Sequence, residues 1–295
     1  MRFNVKEIDS QYDFEITGLS YIGDPVDGTC LFIGAKIARM LENLQSHTDC
    51  LVFIDASISV PEEYREKNCF VFTENPQKEY GLFSLKMRQA EEEERAGWRY
   101  RTTPEGYTIG ENVTIGEGAR IESGCLIDHN VRIGRNAVIG FGSVIRNAEI
   151  GDEFRCGEYC VIGTESFNLG EAEGYSYRIP SFGKVLIGDH VDLGARVIME
   201  RGFNSDTVIG NNTKIDSDVN IGHDAVLKES VKITCGACLA GRVVVSEGAY
   251  IGMNATIRQR IVIGKGATVG MGASVMMNVR DGVTMIGNPA KRLKI

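Results

Sequence analysis

Between residues 109 and 275 an aliphatic side chain returns at every sixth position. Ile109, Ile115, Ile121, Ile127, Ile133, Ile139 and Ile145 set the phase, and a one-residue slip carries it to Ile150, Cys156 and Ile162. After a long interruption come Ile187, Leu193 and Met199, and after a shorter one an unbroken run from Ile209 to Val275. Two residues before most of these positions stands a small or β-branched residue, as at Val113, Ala119, Val131, Ala137, Val219 and Ala225. A fixed period held over many repeats predicts a solenoid, in which each repeat buries its apolar face against the next. Glycine often follows the aliphatic, as at Gly116, Gly140, Gly210 and Gly222, where a chain turning a corner benefits from having no Cβ.

The hexapeptide pattern resembles the parallel β-helix family, in which three hexads close one triangular coil. That resemblance implies a left-handed helix, against the usual right-handed crossover. Before Tyr107 the period is absent. Strand-like runs ("FEITGL", "CLVFIDA", "CFVFTE") surround one amphipathic segment, "AKIARMLENLQSH", and predict a small α/β domain. The charged stretch "LKMRQAEEEERAGWRY" predicts a solvated linking helix, with Trp98 available to pack on the first coil. The expected organisation is an α/β nucleotide-binding domain over residues 1–85 and a linker helix over 86–104. A mainly β, left-handed parallel β-helix follows over 105–280, then a basic tail over 281–295.

Composition narrows the function. The chain has 295 residues, 43% hydrophobic and 24% charged, which is an ordinary globular balance. It holds no run of about 18 apolar residues, and "MRFNVKEIDSQYDF" lacks the apolar core of a signal peptide, so a cytoplasmic protein with no membrane span is expected. The net charge of -8, with no basic stripe, argues against a nucleic-acid partner. Eight cysteines in such a chain read as thiols; Cys235 and Cys238 form a CxxC, but nothing completes a four-ligand zinc site, and no metal is expected.

With three hexads per coil, the hexads starting at Ile127, Ile145, Ile162, Met199, Ile221, Leu239 and Ile257 share one corner of the prism. Their third residues are His129, Asn147, Thr164, Arg201, His223, Gly241 and Gln259. Both interruptions, over 164–186 and 200–207, leave along this edge and predict a cleft. Coils stack about 4.8 Å apart, which puts the second interruption one coil below His223 and Gly241 one coil above it. The interruption brings two carboxylates, Glu200 and Asp206, as candidates to orient the imidazole. An oriented imidazole can take a proton from a nucleophile, and a backbone N–H can hold the oxyanion of an acyl transfer. A corner histidine with none of this around it, such as His129, reads as a surface residue.

The stretch "IPSFGKVLIGDHVDLGARVIMERGFNSDTVIGNNTKIDSDVNIGHDAVL" resembles the central region of the UDP-3-O-acylglucosamine N-acyltransferases of lipid A biosynthesis. "FEITGLSYIGDPVDGTCLFIGAKIARML" and "NPQKEYGLFSLKM" are similar to that family's nucleotide-binding domain. The resemblance implies a homotrimer with clefts between prisms, and attack of a sugar amine on an acyl thioester. It puts the catalytic histidine at His223, in "IGHD", and the oxyanion glycine at Gly241, in "LAGRV". The chain departs from the pattern too. Arg260 stands where the family has a second active-site histidine, and of the three uracil-holding residues only the aromatic, Phe32, remains, with Gly34 and Ile37 at the other two places. Phe167, in the first interruption, joins Phe32 as a candidate for nucleotide or sugar binding.

The short ending "GNPAKRLK" resembles the coenzyme A-dependent N-acetyltransferases of nucleotide-linked amino sugars, and predicts acyl-CoA as cosubstrate. Arg242, Arg260, Lys291 and Arg292 are the candidate donor-binding cations, suited to its phosphates. The alternatives are the lipid A enzyme with acyl carrier protein as donor, and a trimeric β-helix scaffold without catalysis.

Overall fold

The computed structural model describes residues 3–172 and 174–293. They divide into two compact units: the N-terminal residues through Gly97 with Phe167–Phe182, and Trp98–Ser166 with Gly183 onward. Among the described residues no helix is long and apolar enough to cross a membrane.

The first unit is built on a four-stranded parallel sheet, Gly18–Leu19, Thr29–Ile33, Leu51–Asp55 and Cys69–Thr73, paired in chain order. Leu31, Ile33, Val52 and Ile54 on one face join Leu41, Leu44 and Tyr64 in a closed core. The segment expected to be an amphipathic α-helix is instead 3-10 over Ala35–Leu44, broken at Ile37 (φ -119°, ψ 19°). Its fully packed residues, Leu41 and Leu44, are three apart, the spacing at which a 3-10 turn stacks side chains on one face. Gly34 offers no side-chain cap, so nothing local favours an α-helical start.

The charged helix begins earlier than its charge run suggests, over Pro76–Arg95. Asn75 caps it by accepting from the Lys78 amide at 3.1 Å, and Pro76 occupies the first helical position, where no N–H is needed. Tyr80, Phe83, Ser84 and Met87 form its buried face. The first interruption of the repeat is grouped with this unit. It folds into an antiparallel hairpin, Leu169–Ala172 with Tyr175–Arg178, that belongs to this unit. The Tyr177 hydroxyl abuts Gly81 of the helix so closely that any side chain there would collide with it. Arg88 donates to the Ser181 carbonyl at 2.8 Å and stacks over Phe182.

The second unit is the solenoid, whose strands, mostly two residues long, stack into three sheets, parallel but for the end strands Arg101–Thr102 and Lys291–Arg292. On the sheet that carries the candidate corner, the register runs Ile127↔Ile145↔Ile162↔Met199↔Ile221↔Leu239↔Ile257↔Val275. That is the corner predicted from the spacing, with the slip and both interruptions absorbed. The inward aliphatics and their small partners make one continuous core from Ile109 to Met285.

The glycines after the aliphatics serve a different purpose from the one expected. A Cβ on Gly222 would lie 2.6 Å from the Gly241 nitrogen, so glycine here permits close stacking of successive coils. The left-handed turn itself falls two residues later, at Asp224 (φ 56°) or Arg242 (φ 62°).

Candidate active site

The corner at His223 gathers residues from three coils. Its backbone amide donates to Glu200 Oε2 at 3.0 Å, which fixes the corner on the end of the strand Ile198–Glu200 one coil below. Its ring is only 18% exposed and meets the Phe203 ring edge-on, with centroids 6.0 Å apart. Nδ1 lies 2.7 Å from Asp224 Oδ2. With Nδ1 bearing the hydrogen of that bond, Nε2 carries a free lone pair.

Asp224, rather than Glu200 or Asp206, is the carboxylate that orients the imidazole. The left-handed backbone at Asp224 folds its side chain back onto the preceding ring. Its other oxygen, Oδ1, accepts from the amides of Phe203 (2.9 Å), Asn204 (3.1 Å) and Ser205 (2.9 Å) and from the Ser205 hydroxyl (3.1 Å). The second interruption is thereby knotted onto the acid. Burial opposes ionisation of Asp224. The hydrogen bonds from His223 and Ser205 and the charges of His223 and Arg242 outweigh it, and the carboxyl sits below the ordinary range. One oxygen of Glu200 accepts from the His223 amide, and Asp206 Oδ1 accepts from the Lys184 amide at 2.6 Å, at the foot of the same loop.

Gly241 stacks directly above. A Cβ built there would lie 2.5 Å from His223 Nε2 and 2.8 Å from Cε1, so the glycine backbone rests on the imidazole. At the corner positions below, the Arg201 amide bonds to the Thr164 carbonyl and the His223 amide to Glu200. The Gly241 amide has no acceptor among the described residues. A groove of about 370 Å³ opens beside it, bounded by Ile198, Glu200, Asn220, Gly222, Cys238 and Gly241.

The expected donor-binding cations separate. Arg242 does not project along the edge: its Nε lies 3.3 Å from Asp224 Oδ2, and its guanidinium also donates to Asn204 Oδ1. The left-handed backbone at Arg242 turns the side chain down towards the acid. Arg260 is exposed one coil higher, its amide bonded to the Gly241 carbonyl at 3.1 Å. Lys291 and Arg292 are exposed on the last strand, where they border a cavity of about 370 Å³ with Met277, Asn278 and Met285.

His129, on the same edge, has a structural place. Its Nδ1 accepts from the Glu111 amide at 2.6 Å, and its ring packs between Trp98 (5.0 Å) and Tyr100 (4.5 Å). In the first unit Phe32 is half-buried against Tyr80, with centroids 5.1 Å apart, whereas Phe167 is 69% exposed beneath the guanidinium of Arg178.

Residues 112–147 match the family described as Bacterial transferase hexapeptide (six repeats). The chain is similar to the UDP-3-O-acylglucosamine N-acyltransferase of Neisseria meningitidis serogroup B, 46% identical over 63 residues, 21% of this chain and 18% of that one. It is also similar to the same-named protein of Hydrogenovibrio crunogenus, 41% identical over 81 residues, 28% of this chain and 23% of the other. The aligned stretches thus span about a fifth of those relatives. Among solved structures, the UDP-N-acetylglucosamine acyltransferase from Campylobacter jejuni superposes with a TM-score of 0.58 at 22% identity, over 66% of this chain and 75% of that one. The UDP-N-acetylglucosamine O-acyltransferase of Moraxella catarrhalis RH4 gives 0.58 at 24% identity, over 65% and 73%. The fold is the left-handed β-helix of the hexapeptide acyltransferases. The similarity in sequence to proteins named UDP-3-O-acylglucosamine N-acyltransferase thus stands beside a β-helix fold shared with the solved acyltransferases.

Proposed function

We propose that this protein is an N-acyltransferase that moves an acyl group from a thioester to the amino group of a nucleotide-linked amino sugar, with His223 as general base. The observation that carries the reading is a corner at which an imidazole oriented by a buried carboxylate lies against a glycine whose amide has no acceptor among the described residues. Such a pair supplies the two requirements of acyl transfer: a proton acceptor for the nucleophile and a donor for the oxyanion.

In the proposed reaction the neutral amine attacks the thioester carbonyl and His223 Nε2 takes one of its protons. Asp224 stabilises the imidazolium that forms, and the Gly241 N–H receives the charge on the carbonyl oxygen. The C–S bond then breaks, and the thiolate recovers the proton from Nε2. No covalent enzyme intermediate is required, since a neutral amine already attacks thioesters. Phe32 and Phe167 are the proposed aromatic contacts of the nucleotide or sugar.

Similarity to proteins named UDP-3-O-acylglucosamine N-acyltransferase favours UDP-3-O-acylglucosamine as acceptor. For the donor we favour acyl-coenzyme A, its phosphates on Arg260 and the cluster of Lys291 and Arg292; acyl carrier protein is the alternative. A homotrimer is part of the same proposal. Leu186, Val208, Val226, Val244 and Val262 follow one another up the outer face of one sheet, an aliphatic ladder suited to burial against a neighbouring prism. The reading is tested by incubating the protein with UDP-3-O-acylglucosamine and either acyl-coenzyme A or acyl carrier protein, and following amide formation by mass. Amide formed with neither donor would sink it, and leave the scaffold reading standing.

A further inference from the structure

We propose that Glu200 makes this site selective for an amine over a hydroxyl acceptor. The inference rests on the acyl-transfer reading above and deepens it. Glu200 ends the strand below His223 and is the sole charged residue among those lining the groove beside Gly241; Ile198, Asn220 and Cys238 supply the rest of the wall. One of its oxygens accepts the His223 amide at 3.0 Å, and among the described residues the carboxylate has no other hydrogen-bond partner. Its second oxygen is therefore unclaimed, and the residue lines the groove beside Gly241 that this proposal assigns to the nucleophile. The charge is felt there: burial first, and the negative charge of Glu200 second, push the Cys238 thiol above its ordinary range.

The chemistry of the two acceptor classes differs at this point. An attacking amine carries two N–H hydrogens. His223 Nε2 removes one as the C–N bond forms, and the nitrogen keeps the other while it becomes positive. A carboxylate facing that nitrogen accepts the remaining N–H and opposes the growing charge, a charge-assisted hydrogen bond made strongest in the transition state. As the C–S bond breaks, the proton on Nε2 passes to the departing thiolate, and a neutral amide remains. A hydroxyl has a single hydrogen, which the base takes. Nothing is left to donate to Glu200, and an oxygen gaining negative character faces a fixed anion.

The test uses Glu200→Gln, because the glutamine carbonyl can still accept the His223 amide while the charge is removed. We expect kcat/KM for UDP-3-O-acylglucosamine to fall about 10- to 100-fold, with the ratio of that constant to the one for UDP-3-O-acylglucose narrowing about tenfold or more. A parallel titration of Cys238 alkylation by iodoacetamide should move to lower pH in Glu200→Gln, with an unchanged melting curve. An equal loss on both acceptors, or an unchanged amine rate, overturns the proposal, since either leaves Glu200 only a cap on the corner. If the unsubstituted protein acylates neither sugar, the acyl-transfer reading falls and takes this inference with it. Acylation of the amine with an unaltered ratio in Glu200→Gln removes this inference alone.

Discussion

Gly241 lies against the face of the His223 imidazole with no room for a side chain between them. Gly241→Ala should therefore push the ring off Asp224 and tilt the unpartnered amide at the same time. Loss of one oxyanion donor alone costs about 10² to 10³ in turnover, so a fall of at least that size is expected. Its melting temperature should move little, since the corner lies outside the aliphatic core. Turnover within a factor of about three of the parent would refute the placement of the oxyanion at this glycine.

His223 and His129 share an edge and should behave oppositely. His223→Ala should lower turnover about 10²- to 10⁴-fold without unfolding the protein. His129→Ala should leave turnover alone and cost about 1 to 2 kcal/mol of stability, because it strands the Glu111 amide and empties the slot between Trp98 and Tyr100. Steady-state rates paired with urea unfolding of both variants separate the two roles.

The buried acid gives a pH signature. The carboxyl of Asp224 is held below its unfolded value, so its contribution to stability is complete above about pH 4 and is lost as pH falls through the folded value. Asp224→Asn lacks a titrating group there. Between pH 7 and pH 3 the urea midpoint of the parent should drop further than that of Asp224→Asn. Depressed carboxyls such as Asp152 and Asp218, paired with Arg135 and Arg196, are present in both proteins and cancel in the comparison. Parallel curves over that interval would mean that Asp224 is not charged in the folded state.

Arg242 and Arg260 stand on successive coils of the same column, yet their variants should differ in kind. Arg242 is tied to Asp224 and Asn204, so Arg242→Ala should lower kcat by loosening the acid and its loop. Arg260→Ala should raise KM for acyl-coenzyme A several-fold with kcat less affected, the pattern of lost uniform binding. If acyl carrier protein is the better donor and Arg260→Ala changes neither constant, the coenzyme A assignment is wrong.

The aliphatic ladder predicts assembly. Light scattering should return about three times the 32.4 kDa chain mass, and Val226→Asp, in the middle of the ladder, should lower it. A monomeric parent with full activity would remove the neighbouring prism from the site.

How much of this was legible in the sequence depended on whether information repeats. The period of six carried the coil register through a slip and two interruptions, because each hexad independently repeats the same inward pair. Gly241 above His223 followed from counting alone. Asp224 is invisible to that count, because the partner of His223 is the next residue in the chain and not one on a stacked coil. Its signal was there: an acid at a corner position where the left-handed turn returns a side chain to its predecessor. Arg242, one coil up at the same kind of turn, was misread for the same reason. The 3-10 segment and the start of the long helix depend on local capping and on packing against the sheet, which a hydrophobic pattern of ten or so residues does not encode.

The hairpin in the first interruption gives the N-terminal unit a history as well as a shape. Because that unit is assembled from residues through Gly97 and a second segment, Phe167–Phe182, it is incomplete when its first part leaves the ribosome. Some seventy intervening residues, 98–166, must be made before Tyr177 can reach Gly81 and Arg88 can reach Ser181. The lower coils of the solenoid are therefore synthesised while the long helix that precedes them still lacks its hairpin. A fragment ending at Gly97 would carry the whole sheet and the long helix, yet leave bare the helix surface that the hairpin covers.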